Sequence, residues 1–126
     1  MHMPFVLDAR RLANRLPAND PLRLTLEFLL QNAVGRGNAV PFSQIDRHLQ
    51  RHGVAMSMQT FQHTVLQATR AGTVFIASFN QGYFLIQNQD DAITMRDWYR
   101  NRIRSEARNL RNLRRLARQR PHNWPI

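Results

Sequence analysis

Arg96, Arg100, Arg104, Arg108, Arg111, Arg115 and Arg118 follow one another at steps of three and four, the spacing that gathers side chains on one side of an α-helix. A guanidinium presents a planar fork of donors that grips a phosphate through two bonds at once. A row of seven is therefore chemistry suited to phosphate binding along a polyanion's backbone. Seven like charges in line also repel one another until a counter-charge arrives. The alternative is a solvated face. All eighteen basic residues are arginine, which fits GC-rich coding as well as a demand for guanidinium groups.

A second polar row lies upstream. Gln59, Thr60, His63, Gln67 and Arg70 gather on one side of "MSMQTFQHTVLQATRAG", while Met58, Phe61, Val65 and Ala68 fall on the other. Glutamine offers adenine a matched donor and acceptor, and arginine does the same for guanine. The competing reading is the ordinary polar face of an amphipathic helix.

Other reactive residue types lack the spacing that chemistry needs. The five histidines, at 2, 48, 52, 63 and 122, contain one helical pair, His48 and His52, and no third ligand beside it, so no metal site is assigned. Serines, histidines and carboxylates occur without the arrangement of a nucleophile elbow, a phosphate loop or a metalloenzyme helix. No catalytic residue and no cofactor is assigned, and an enzyme is the least favoured class.

The net charge of +10 favours a polyanionic partner, nucleic acid first and an anionic membrane surface second. Ten arginines stand against Asp97 and Glu106 between residues 96 and 120, leaving +8 there and only +2 in residues 1–95. With no cysteine, disulfide frameworks and zinc fingers are excluded. No apolar run approaches the roughly 20 residues of a membrane span, and no leader with a cleavage site opens the chain. A cytoplasmic protein is expected.

Punctuation residues divide the chain. "MHMPFVLDARRLANRLP" offers Asp8 as a cap and Pro17 as a stop, predicting an arm or a helix of at most two turns. In "NDPLRLTLEFLLQNAVGRG", Asp20 caps, Pro21 takes the first helical position, and Gly35 ends a helix with Leu22, Leu26, Leu29, Leu30 and Val34 as its buried stripe. Ala39 and Val40 are extended before Pro41. Ser43 with Asp46 predicts a capping-box variant opening a short helix that ends at Gly53. A helix from Ser57 to Gly72 follows. Then "TVFIASFNQGYFLIQ" reads as a hairpin turning near "NQG".

This order, helix, extended segment, short helix, helix, hairpin, resembles the winged helix-turn-helix superfamily over about residues 20 to 87. Phe61, Thr64, Val65, Ala68 and Gly72 are similar in spacing to a pattern frequent in bacterial winged-helix repressors. The resemblance implies a mainly α fold with one small β-hairpin. It also implies a recognition helix contacting DNA through Gln59, Thr60, His63, Gln67 and Arg70, and a wing tip contacting it through Asn80 and Gln81. The stretch "GYFLIQNQDDAITMRDWYRNRIRSEARNLRNLRRLA" looks like small phage and prophage winged-helix proteins with a long arginine-rich helix, implying a phage origin and a role in transcription regulation or phage replication.

From about Asp91 to Gln119 neither proline nor glycine intervenes, predicting a helix on the order of 40 Å long with Asp90 or Asp91 at its start. Beside the arginine stripe runs an apolar face of Ala92, Met95, Tyr99, Ile103, Ala107, Leu110, Leu113 and Ala117, with Trp98 and Leu116 at its margin. Such a face needs a cover. Trp98, Tyr99 and Ile103 suit the body of the protein. Leu110, Leu113 and Leu116 suit a second copy, an acidic protein or a membrane surface. Glu106 beside Arg102 predicts an internal or cross-chain ion pair.

The expected organisation is an arm or short helix over 1–19, a winged helix-turn-helix domain over 20–89, a basic amphipathic helix over 90–120 and a tail over 121–126. The expected partner is double-stranded DNA. The alternative is a non-enzymatic interaction module, an inhibitor or adaptor of a host system, gripping an acidic protein with its basic helix.

Overall fold

The computed structural model describes residues 3–80 and 82–126. The fold is mainly helical with one two-stranded antiparallel hairpin. The chain divides into two compact units, Met1–Ala92 and Ile93–Ile126.

The first unit opens with α1 (Pro4–Arg15), a helix of three turns rather than an arm. Asp8 sits inside it and not at its cap. Val6, Ala9 and Ala13 are buried, and the small alanines allow close approach to the next helix, α2 (Pro21–Asn32). At the start of α2, the carboxylate of Asp20 accepts from the Leu22 amide at 2.8 Å, and Pro21 occupies the first turn, where its missing N–H costs nothing. The buried face of α2 is Leu24, Thr25, Leu26 and Leu29. Leu22 and Leu30 are only half-buried and Val34 lies beyond the helix, so the predicted stripe is rotated. Thr25 enters the core because its hydroxyl donates to the Pro21 carbonyl at 2.8 Å.

The helix ends at Ala33, and Gly35, with φ of 93°, leads into a 3-10 turn over Arg36–Asn38. The chain then runs through Val40 into α3 (Phe42–Arg51). Pro41 is the N-cap residue and no side chain caps this helix. The predicted Ser43 and Asp46 capping box therefore does not form: the helix begins two residues earlier, and the Asp46 carboxylate instead accepts from the Gln50 side-chain Nε2 at 3.0 Å. Ile45 and Leu49 are buried, and Gly53 turns the chain with φ of 76°.

Next come α4 (Met58–Arg70) and the hairpin of β1 (Ile76–Phe79) and β2 (Gly82–Leu85). Phe79 pairs with Gly82. β2 is held on its second edge too. Val40 and Tyr83 exchange both backbone bonds, at 3.0 and 2.8 Å, while Leu85 donates to Ala33 and accepts from Gly35. That double edge buries all four residues of β2. Phe61, Phe84, Leu26, Leu29, Ile45, Leu49 and Leu85 form the centre of the core.

The last helix, α5 (Gln89–Arg118), begins in the first unit and continues through most of the second. Asn88 Oδ1 accepts from the Asp91 amide at 2.9 Å, and the Asp91 carboxylate accepts from the Gln87 amide at 3.0 Å. Asp91 is thereby satisfied although buried, and both Asp90 and Asp91 favour the positive end of the helix dipole. Among the described residues, no helix is long and apolar enough to cross a membrane.

Candidate nucleic-acid interface

The orientation of α4 is set from its buried side. Phe61 packs its ring 4.9 Å from that of Phe42 on α3 and 5.1 Å from that of Tyr83 on β2, and Val65 and Ala68 are buried along the same side. Ser57 starts the helix: its hydroxyl oxygen accepts from the Thr60 amide at 3.1 Å and its O–H donates to Thr60 Oγ1 at 2.9 Å. Gly72, with φ of 79°, ends it.

Fixing Phe61, Val65 and Ala68 inward turns Gln59, His63, Gln67 and Arg70 outward, and all four are exposed. Thr60 is exposed as well, but its hydroxyl is tied to the Ser57 cap. Gln62 and Leu66 share the exposed face although neither was expected there. Helical spacing from Gln59 would have found both; sorting by residue type hid the leucine. No carboxylate occurs anywhere on α4.

At the hairpin tip, Asn80 is exposed and holds φ of 50°, a left-handed conformation that asparagine tolerates. Gln81 lies outside the described residues. Arg36 lines the same open cleft of about 490 Å³ as Phe79, Asn80 and Gly82. This places a guanidinium-bearing residue near the turn that nothing in the hairpin sequence announces.

In the second unit, all seven stripe arginines are exposed. Arg96 meets Asp97 at 3.1 Å in a solvent-exposed pair, a geometry of little energetic weight. Arg118 donates to the Ile126 carbonyl at 3.0 Å. Among the described residues, no carboxylate pairs with Arg100, Arg104, Arg108, Arg111 or Arg115. Arg102 does not form the predicted pair with Glu106. Its guanidinium lies 5.3 Å over the Trp98 ring, which in turn meets Tyr99 edge-on.

The apolar sector of α5 is open. Ile103, Leu110, Leu113 and Leu116 are 67, 46, 57 and 50 % exposed. Met95 and Ala117 are exceptions, both buried; at Ala117 the tail folds back so that the Trp124 amide donates to its carbonyl at 2.7 Å. The Trp124 ring itself remains 60 % exposed.

The rings of His48 on α3 and His52 at its C-cap lie 4.7 Å apart with planes tilted by 51°, and His48 also meets Phe28 of α2 at 5.0 Å. Burial, then the neighbouring His52 and Arg51, hold the His48 imidazole below its ordinary range against an opposing pull from Glu27. Among the described residues, no three histidines or carboxylates gather as metal ligands.

Comparison of the chain with protein-family models, with curated proteins and with solved structures found no match.

Proposed function

We propose that the chain is a winged-helix protein of phage or prophage origin that binds double-stranded DNA in the cytoplasm of a bacterial host, acting in transcription regulation or phage replication. The observation that carries this reading is the exposed face of α4, an amide-rich, carboxylate-free row whose direction is fixed by Phe61, Val65 and Ala68. The element order supports it: α2, an extended segment bridged to β2, α3, α4 and a hairpin. In this reading α4 enters the major groove, Asn80 at the wing tip approaches the backbone or minor groove, and the α5 arginines contact phosphates.

Titration of random duplex DNA at rising salt tests the proposal. Each phosphate contact contributes about 0.9 to the slope of log affinity against log salt, so six or more contacts cost about a thousandfold or more between about 50 and 200 mM. Absence of binding at the lower salt overturns it.

One observation favours a second reading. Phosphate contact does not require the exposed Ile103, Leu110 and Leu113 beside the stripe. A basic helix with an open apolar sector also suits an acidic, partly apolar protein surface, making the chain an inhibitor or adaptor. The same leucines, with Leu116, suit a homodimer.

A further inference from the structure

Leu66 is 45 % exposed in the middle of α4. It stands in a line with Gln59, His63 and Arg70, at successive steps of four, three and four residues, which is a single row along a helix. Gln62 is one turn before it and exposed. A second apolar side chain, Met58, is 53 % exposed at the helix start. The core does not use these groups, and a leucine offers nothing to a phosphate.

The chemistry of the row is selective. In the major groove, an A·T pair presents the adenine N7 acceptor and N6 donor together with the thymine O4 and its C5-methyl group. A glutamine amide satisfies the first pair of groups and an aliphatic side chain covers the last. Cytosine's N4 donor calls for a carboxylate, and α4 has none. Its one guanidinium, Arg70, sits in the last turn, where it suits a guanine or a phosphate at the edge of the site. Side chains one turn apart on a helix are about 5–6 Å apart, against about 3.4 Å between successive base pairs, so Gln62 and Leu66 reach neighbouring pairs.

We propose that α4 reads an A·T-rich stretch of the major groove, with Leu66 seated on the C5-methyl group of a thymine and Gln62 bonded to the adenine of a neighbouring pair. This rests on the DNA-binding reading of the same helix.

The test uses the full chain and three 20-base-pair probes measured by fluorescence anisotropy at one salt concentration: alternating dA·dT, the same duplex with deoxyuridine for every thymidine, and alternating dG·dC. The expected order is dA·dT tightest, with the uridine duplex weaker by about fourfold for each methyl group that Leu66 would have covered, the worth of roughly one buried CH₂ group. Leu66→Ala, at an exposed position that leaves the helix intact, should bind the thymidine and uridine duplexes equally. Its salt slope should match that of the parent. Gln62→Ala should keep the thymidine preference over uridine and lose part of the preference over dG·dC. Salt-dependent binding without discrimination between thymidine and uridine overturns the role of Leu66 while the DNA reading stands. Equal discrimination in parent and Leu66→Ala also overturns it, and no binding to any probe overturns both.

Discussion

The ring of Phe61 stands edge-on to that of Tyr83, with centroids 5.1 Å apart and planes at 90°. Tyr83 is also the β2 residue whose backbone pairs with Val40. One aromatic contact therefore ties α4 to the hairpin and to the segment entering α3. Phe61→Ala should cost about 3 to 5 kcal/mol, because it leaves a cavity between the rings of Phe42 and Tyr83. Urea melts of the two proteins would overlap if the helix register were otherwise.

A side chain at Gly82 should be tolerated poorly. A Cβ built there lies 2.9 Å from Ala39 Cβ, and neither atom belongs to a flexible chain end that could swing away. Gly82→Ala should lower stability by about 1 to 3 kcal/mol, as overpacking does. Adding Ala39→Gly should recover much of the loss in thermal melts.

Stability should also fall on acidification. His48 is held below its ordinary value of 6.5 by burial, then by His52 and Arg51, so the unfolded chain takes up the proton more readily than the folded one. The contribution is fully present above pH 6.5 and is lost as pH falls through the lower folded value. Urea midpoints should hold above pH 6.5 and drop as pH falls below it, and His48→Gln should flatten that dependence.

Replacing Gln59, His63 and Gln67 with alanine should reduce discrimination between selected and random duplexes and leave the salt slope nearly unchanged, since base contacts specify and phosphate contacts position. Equal losses on both kinds of DNA would remove α4 as the reader.

Changing Arg104, Arg108 and Arg111 to glutamine should keep the helical circular dichroism, glutamine being a comparable helix former. The salt slope should fall by up to about 2.7, at roughly 0.9 for each phosphate no longer neutralised. An unaltered slope places the acidic-partner reading first.

Local signals were legible where a residue's own chemistry decides the backbone. Asp20 with Pro21, Ser57 with the Thr60 amide, and the left-handed glycines 53 and 72 act where their sequence context suggests. The misplaced boundaries have tertiary causes. The length of α1 rests on Val6, Ala9 and Ala13 finding a surface on α2, and isolated alanines in an arginine-rich stretch do not advertise a core. α3 starts at Phe42 without a side-chain cap. On α4, the outward direction of Gln59, His63, Gln67 and Arg70 was legible from period alone, whereas Leu66 and Arg36 gain their interest only from the surfaces they join.

The pairing of β2 with the segment before α3 also bears on the order of folding. Val40 and Tyr83, like Val34 and Leu85, are separated by roughly forty to fifty residues. The hairpin itself pairs Phe79 with Gly82. Loop-closure entropy delays the distant pairing relative to the local helices and hairpin. Substitutions at Val40 should therefore act mainly on the unfolding rate, and the junction between β2 and the α2–α3 segment is the seam expected to close last and part first.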